Sequence, residues 1–279
     1  MYLPSTCSFR LTDIYRSYIS QRILWELDNY LSFHPSTVRQ IRNSHDLIDD
    51  FYHETDSYIK IDKLAYVLDD LKLHKGFNNI IETTKNGRDI KYNIIDDDYK
   101  DFFTLEVLSN YSTKIVELVK NIHKNDGIHF VYSQYLNSGI IPIALALEKL
   151  GYVKYGNPLT NNIETILGNY IIISGNSDLS SNAYSDYLKI QDSNKKGDKI
   201  KIILGTQTAA EGLDFSYIRH VHILQPWFHL NRIDQVIGRG IRNCSHKTLD
   251  LKERNTTIYL HTSLIDDYET IDMYLYRYS

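Results

Sequence analysis

The chain has 279 residues, of which 42% are hydrophobic and 24% charged, proportions that are typical of a soluble globular protein. Its formal net charge of −4 argues against a basic clamp that holds nucleic acid by bulk electrostatics, although a local track is compatible with it. The sequence contains no apolar run of about 18 residues, and its N-terminus lacks the features of a signal peptide, so we expect an intracellular, soluble protein.

Cysteine and histidine spacing gives little support for a bound metal. Cys7 and Cys244 are the only cysteines, and neither belongs to a C-x-x-C pair of the kind that holds zinc. His220 and His222 alternate along a predicted strand, and we expect one of them to be exposed and the other packed. We therefore predict that no metal is held by these side chains.

The first hundred residues are predicted to be mainly helical. Apolar residues recur every three to five positions in 14–31 and again in 61–71, which is the spacing of an amphipathic helix. Breaks are expected around 76–79 and at Asn86-Gly87. We assign residues 1–110 to a mainly helical N-terminal segment, either an insertion between lobes or a docking region.

Beyond residue 110, buried strands alternate with helices. Five strands alternating with helices predict one α/β domain over 111–279, a doubly wound parallel sheet with helices on both faces and functional loops at the carboxyl ends of the strands. The expected elements in chain order are a helix around 115–122, a strand at 128–133, a helix at 139–150, a strand at 170–174, a helix at 185–191, strands at 200–204 and 220–224, a helix from Leu230, a strand at 257–261 and a helix at 265–276.

The helix after the fourth strand carries the most informative chemistry. Arg239 and Arg242 are three residues apart, so their guanidinium groups project side by side and can converge on one anion, although a plain surface pair has the same spacing. Gly238 and Gly240 flank Arg239, and each costs a helix about 1 kcal/mol relative to alanine. We infer that something approaches this backbone closely. The apolar face of the helix is predicted to contain Leu230, Ile233, Ile237 and Ile241.

At this point the residues carry a family resemblance. It covers about residues 111–263 and is closest to the helicases of large cytoplasmic DNA viruses, the family of poxvirus nucleoside triphosphatase I and of the poxvirus early transcription factor small subunit. It implies a RecA-like fold of the P-loop NTPase type, the second lobe of two. The matching segments are TQTAAEGLD at 206–214, which resembles motif V of superfamily 2 helicases, QVIGRGIR at 235–242, which resembles motif VI, FVYS at 130–133 with NSG at 137–139, which resemble motif IV, and VHILQPW at 221–227 with RNCSH at 242–246.

The resemblance implies roles at a nucleotide. Arg239 and Arg242 would be arginine fingers that reach the γ-phosphate of ATP, and Gln235 would position them or touch the phosphates. Asp214 would accept a hydrogen bond from the ribose, and its alternative role is a loop cap. The expected nucleotide-binding residues are Gly212, Asp214 and Gly238.

A nucleic-acid track is implied at the ends of two strands. The candidate residues are Gly205, Thr206, Ser133 and Ser138, which would grip phosphates without contacting bases. The alternative for the serines is a purely structural role in turns. Trp227 either stacks on a base or packs beneath its own loop.

One departure from the family pattern limits the prediction. Residues 92–98 resemble a strand followed by magnesium-binding acids, but such a motif follows a phosphate loop, and none of the thirteen glycines precedes a lysine. We interpret Asp96 to Asp98 as a solvated turn. The missing loop and most of the Mg²⁺ ligands would come from a first lobe elsewhere.

Two functions follow from this reading. The leading hypothesis is the C-terminal lobe of an ATP-dependent helicase or translocase, inactive without a first lobe, with DNA or RNA as partner. It would serve viral transcription or genome handling, in the virion or the host cytoplasm. The alternative is a degenerate, non-enzymatic lobe that binds protein or nucleic acid.

Overall fold

A computed structural model describes the chain in two compact units, Met1–Ile80 and Ile81–Ser279. In the first unit, residues 17–24 and the single positions 48, 55, 63 and 66 are helical, and the rest of the helices expected at 14–31 and 61–71 lies outside the described residues. All features below belong to the second unit. The described residues are 17–24, 48, 55, 63, 66, 81–86, 89–161, 166–180, 182–210, 213–227, 230–241, 245–264 and 269–278.

The second unit begins with a hairpin inside the segment that we expected to be mainly helical. Strands β1 (Ile81–Asn86) and β2 (Asp89–Ile94) pair antiparallel. The register pairs Asn86 with Asp89, so two residues join the strands at a position that we had interpreted only as a break. Asp96 then caps a short 3-10 helix, Asp97–Tyr99, in which Asp97 and Asp98 are exposed, as expected for a solvated turn.

The rest of the second unit is a six-stranded, all-parallel sheet in the order β4-β5-β6-β3-β7-β8. The predicted α/β fold with a doubly wound parallel sheet is confirmed. The elements in chain order are α1 (Leu105–Leu108), α2 (Thr113–Lys124), β3 (Ile128–Tyr132), α3 (Ile141–Leu150), β4 (Tyr152–Lys154), β5 (Gly168–Ile173), α4 (Ser177–Ser180), α5 (Ala183–Ile190), β6 (Ile202–Gly205), α6 (Gln207–Ala210), β7 (Ile218–Ile223), α7 (Leu230–Gly240), β8 (Thr257–Leu260) and α8 (Ile271–Tyr278). Short 3-10 or π turns occupy Leu136–Ile140, Gln191–Ser193 and Leu251–Glu253.

The sheet has one more strand than predicted. The five predicted strands correspond to β3, β5, β6, β7 and β8, and the missed strand is β4. This strand has three residues and lies at the edge of the sheet, so it offers too short an apolar run to be recognised. Helix α3 ends just before it at Gly151, whose φ of 110° is readily adopted only by glycine.

The two faces of the sheet are covered by different helices. On one face, Phe130, Ile203 and Val221 belong to a buried cluster that includes residues of α5, α6 and α7. On the other face, α2 and α3 supply the cover, and Glu148 of α3 accepts a hydrogen bond from the hydroxyl of Tyr170 on β5. Because strand side chains alternate between faces, this arrangement accounts for the nearly continuous burial of the central strands.

The expectation for the histidines of β7 is wrong. His220 and His222 are both buried, 8% and 0% exposed. Residues two apart in a strand lie on the same face, and here that face is covered by helix α2. None of the helices among the described residues is long and apolar enough to cross a lipid bilayer.

Candidate nucleotide and nucleic-acid site

The carboxyl ends of the central strands bring the predicted site segments to one edge of the sheet. Ser133 follows β3, Thr206 follows β6, and Leu224 follows β7. The backbone ties these ends together, because Ser133 N–H donates to the Gly205 carbonyl and Leu224 N–H donates to the Tyr132 carbonyl. In open parallel sheets this edge is where ligands bind.

An aromatic cluster fixes the loop after α6. Phe215 is fully buried, and its ring centroid lies 5.4 Å from that of Phe130, 5.7 Å from Tyr184 and 5.9 Å from Tyr187. Such offset and edge contacts add to the burial of each ring. Phe215 therefore anchors the loop against the sheet, while Asp214 beside it stays exposed to solvent.

Tyr184 of α5 holds the same loop by its hydroxyl. The hydroxyl accepts a hydrogen bond from the backbone N–H of Asp214 at 2.8 Å and donates to the carbonyl of Asp214 at 3.2 Å. Both backbone groups of Asp214 are thus tied to one side chain 30 residues away in sequence. Tyr184 was not predicted, because nothing in the sequence near position 184 indicates which loop its hydroxyl reaches.

Arg239 joins helix α7 to this loop. Its Nη1 donates to the carbonyl oxygen of Leu213 at 2.9 Å, and the guanidinium is half-buried. Gln235 lies one helical turn earlier and is exposed. The structure therefore brings Arg239 and the Leu213-Asp214 segment together at the carboxyl edge of the sheet. Gly212 and Arg242 lie outside the described residues.

The two glycines of α7 have different neighbours. A Cβ added to Gly240 would collide with the Val221 side chain and lie 3.3 Å from Cγ2 of Ile218, so β7 is what approaches the helix there. At Gly238, no atom of the described residues lies within 4 Å of an added Cβ. Our inference of a close approach is thus correct for Gly240, and its cause is the sheet. Gly238 presents open backbone on the outer side of the helix.

The apolar face of α7 differs from the prediction at two positions. Ile233 is buried as predicted, but the fully buried residue of the next turn is Val236, with Ile237 only partly buried beside it. Ile241 is 54% exposed, and it lies just beyond the last residue of the helix, Gly240. Trp227, just before the helix, packs against the core cluster, and the Arg232 guanidinium lies 4.3 Å from its ring centroid.

The proposed nucleic-acid residues divide into buried and exposed groups. Ser133 is fully buried, and its hydroxyl donates to the Tyr135 carbonyl at 3.1 Å and accepts from Tyr135 N–H at 3.2 Å. This arrangement favours the structural alternative, a turn residue, over a contact between Ser133 and nucleic acid. Thr206 is also buried, 8% exposed, whereas Ser138 is exposed.

Gly205 has a packing role. A Cβ at this position would lie 2.5 Å from Cβ of Ala209 and 2.9 Å from Cε2 of Phe130. Only glycine lets α6 and β3 approach the end of β6 this closely. Within the described part of the chain, no group of three or more histidine, cysteine, aspartate or glutamate side chains is arranged to hold a metal ion.

Comparison with known families agrees with this geometry. Residues 167–244 match the helicase conserved C-terminal domain, the segment that holds β5 to α7 and the Arg239–Leu213 contact. This part of the chain is a helicase C-terminal domain of the viral superfamily 2 type. Residues 10–136 also match the STELLO glycosyltransferase family, and that match ends before Thr206, Asp214 and Arg239 of the helicase lobe.

Relatives of the helicase lobe come mainly from large DNA viruses. An inferred ATP-dependent RNA helicase of Acanthamoeba polyphaga mimivirus is 31% identical over 59% of this chain and 28% of its own length. A termination factor NPH-I homologue of African swine fever virus is 29% identical over 56% of this chain and 26% of its own length. A killer-plasmid helicase of Kluyveromyces lactis is 29% identical over 57% of this chain and 25% of its own length. The chain thus spans about a quarter of the length of each relative.

Among solved structures, the C-terminal part of the Fun30 ATPase domain resembles the chain with a TM-score of 0.40 and 15% identity, over 82% of this chain and 57% of the other. The type ISP restriction-modification enzyme LlaBIII bound to DNA resembles it with a TM-score of 0.37 and 12% identity, over 59% of this chain and 11% of the other.

Proposed function

We propose that the helicase lobe supplies arginine fingers to an ATP molecule whose phosphates are held by a separate first lobe, in a helicase or nucleic-acid translocase. The observation that carries this proposal is the Arg239–Leu213 hydrogen bond. It puts a permanent positive charge beside the Leu213-Asp214 loop, at the edge of the sheet where ligands bind. Arg242 would be the second finger, three residues further along.

The other nucleotide contacts follow from the same edge. Asp214 is exposed while its backbone is tied down, so its carboxylate can accept a hydrogen bond from a ribose hydroxyl. Gln235 is exposed one turn before Arg239 and would orient the finger or touch the phosphates. Gly212 and Gly238 would line the same nucleotide.

The phosphates and the magnesium ion would be held mainly by the first lobe. In this division of labour the present lobe would bring cations and the first lobe would bring carboxylates. Two positive guanidinium groups would stabilise the charge that develops on the γ-phosphate during transfer to water.

The nucleic-acid track would use the exposed turn after β3 and the end of β6. Ser138 is exposed, and Thr206 retains some accessible surface; contacts from such groups go to phosphates, so they would hold any sequence. Because the net charge is −4, we expect binding to be weak in the isolated chain. The partner would be DNA or RNA, in viral transcription or genome handling.

ATP turnover on reconstitution tests the proposal. The chain is mixed with a polypeptide that contains a phosphate loop and metal-binding acids from a related viral helicase, and phosphate release is measured with single-stranded DNA, single-stranded RNA or neither. We expect negligible turnover for each polypeptide alone and nucleic-acid-stimulated turnover for the mixture. Turnover by the chain alone would contradict the division between lobes. Binding of the two polypeptides without any turnover would favour the alternative, a non-enzymatic binding module.

A further inference from the structure

Four histidines and one tyrosine form a stacked layer across the strands β3, β7 and β8, on the face covered by α2. The ring centroids of His129 and His220 lie 4.3 Å apart, and those of His222 and Tyr259 lie 4.4 Å apart with the planes within 6° of parallel. His261 follows at 5.4 Å from His222. We call these five residues the histidine layer. It uses none of the residues assigned to the nucleotide.

Three of the rings form one hydrogen-bonded chain. His129 Nε2 lies 3.3 Å from the Asn125 carbonyl, His129 Nδ1 lies 3.0 Å from His222 Nε2, and His222 Nδ1 lies 3.1 Å from His261 Nε2. A carbonyl can only accept, so the proton of His129 must be on Nε2. His129 Nδ1 then accepts from His222, and His222 Nδ1 accepts from His261. All three hydrogen bonds can form when each ring is neutral and protonated on Nε2.

The fourth histidine has the same tautomer. His220 Nε2 lies 3.0 Å from the carbonyl of Asp126 and must donate to it, which leaves Nδ1 to accept from the Tyr259 hydroxyl at 3.4 Å. A second proton on His129, His220 or His222 would turn an acceptor into a donor that faces another N–H or O–H group. The geometry of the layer therefore selects the neutral state.

The charges around the layer also disfavour protonation. Lys201 just before β6 and Arg219 on β7 add positive charge, and Asp126 before β3 opposes them. On α2, Lys114 adds positive charge near His261, and Glu117 opposes it. Lys114 also contacts the carboxylate of Asp272 on α8 at 2.5 Å.

Burial is the main reason why the pKa values of the four histidine rings are lowered. It lowers the pKa of His129 to about 3, with a further contribution from His220, and it lowers the pKa of His261 to about 4, with a further contribution from Lys114. The pKa values of His220 and His222 are also lowered, again mainly by burial. Each ring therefore stays neutral in the folded chain at pH values where a solvent-exposed histidine takes up a proton.

We propose that the histidine layer is an acid-sensitive latch, which in its neutral state holds β8 and α8 against the central strands and releases them when it takes up protons. Strand β8 can be released readily, because among the described strands it pairs with β7 alone and most of its residues are solvent-exposed. Helix α8 is tied to the same region by the Lys114–Asp272 ion pair and by the Tyr276 hydroxyl, which lies 3.4 Å from the Ile223 carbonyl.

The direction of the pH dependence follows from the lowered pKa values. Stability from the neutral rings is fully present above the unfolded-state pKa of about 6.5 and is lost as the pH falls toward the folded-state values. In that window each ring lowers the folding equilibrium constant by about tenfold per pH unit. The window therefore opens at mildly acidic pH, before most carboxylates titrate.

Two measurements on the full chain test the latch. The first is the unfolding constant from urea titrations between pH 5 and 7, for the wild-type chain and for His261→Gln, since glutamine keeps an N–H donor for His222 and does not titrate. In a plot of the logarithm of the unfolding constant against pH, we expect the His261→Gln line to be less steep than the wild-type line by about one tenfold step per pH unit. His123→Gln, at an exposed histidine of α2, should keep the wild-type slope. Equal slopes for wild type and His261→Gln would overturn the proposal.

The second measurement needs no variant. Hydrogen exchange of the wild-type chain is followed at pH 7 and pH 5, with rates corrected for the intrinsic effect of pH, and β8 is compared with β6, which lies outside the layer. We expect β8 to lose protection at pH 5 while β6 keeps it. Parallel loss in both strands, or no change in β8, would show that protonation does not act on the edge of the sheet first.

Discussion

The guanidinium of Arg239 donates a hydrogen bond from Nη1 to the carbonyl oxygen of Leu213, 2.9 Å away. This hydrogen bond holds helix α7 against the loop before β7, although the two partners lie 26 residues apart in sequence. On the other side of the same loop, Tyr184 holds both backbone groups of Asp214. The loop is thus held from two helices, and its exposed Asp214 carboxylate is presented at the strand ends.

The two glycines of α7 give a matched pair of substitutions. Gly240→Ala forces a methyl group into the Val221 side chain, and we expect a loss of about 1–3 kcal/mol in the free energy of unfolding. Gly238→Ala meets none of the described atoms within 4 Å and gains helix propensity, so we expect an increase of up to ~1 kcal/mol. Urea unfolding measures both. Equal effects would show that β7 does not approach the helix as closely as described.

Phe215 is predicted to be the main anchor of its loop. Phe215→Ala removes a fully buried ring that packs against three aromatic neighbours, and we expect a loss of about 3–5 kcal/mol. The exposed Leu251, at 83%, provides a control, and Leu251→Ala should change the stability by less than about 0.5 kcal/mol. A small effect of Phe215→Ala in chemical unfolding would mean that the loop is held by other contacts.

Removing the hydroxyl of Tyr184 should loosen the loop while leaving the sheet intact. Tyr184→Phe keeps the ring against Phe215 but removes both hydrogen bonds to Asp214, so local opening becomes easier by about 1–2 kcal/mol. We expect amide hydrogen exchange to accelerate about 5- to 30-fold at residue 214 and to stay unchanged in β3. Unchanged exchange at residue 214 would show that the hydroxyl does not hold the loop.

The contribution of Glu148 on α3 to stability is predicted to require both oxygens of its carboxylate as hydrogen-bond acceptors. Its buried carboxylate accepts from Leu159 N–H at 2.7 Å, from Thr160 N–H at 2.6 Å and from the Tyr170 hydroxyl at 2.8 Å. In Glu148→Gln the amide turns an N–H group toward one of these donors, which should cost about 1–3 kcal/mol. Glu106→Gln, at an exposed position, is the control in the same thermal or urea unfolding experiment. Equal stability of the two variants would contradict this account.

The sequence was sufficient to predict the parallel sheet, because each central strand is a short apolar run followed by a polar loop. Residues 128–132 and 202–205 are buried at every position, so these strands can be predicted from their own sequence without knowing which strands they pair with. Strand β4 and the β1-β2 hairpin were missed for opposite reasons. The three edge residues of β4 carry too little pattern. In the hairpin, β2 alternates polar and apolar residues but β1 does not, and helical spacing dominated our interpretation of that region.

The candidate site could be predicted only in part. Motif-like spacing identified Arg239 and Asp214, but their neighbours depend on contacts between residues distant in sequence. Tyr184 reaches Asp214 over 30 residues, and Ser133 is covered by its own turn, which the local sequence does not reveal. The histidine layer was missed because its rings come from three strands that are adjacent only in the folded sheet.

The most direct test of the proposed function is ATP turnover in the reconstituted pair of lobes, measured with Arg239→Ala and Arg242→Ala. Removal of an arginine finger lowers turnover by about 10³-fold or more in comparable nucleotide hydrolases. The control is Arg277→Ala, an exposed arginine paired with Glu269. We predict that Arg239→Ala or Arg242→Ala abolishes nucleic-acid-stimulated turnover while Arg277→Ala retains it. Wild-type turnover in both the Arg239→Ala and the Arg242→Ala protein would contradict the assignment of this lobe as the source of the fingers.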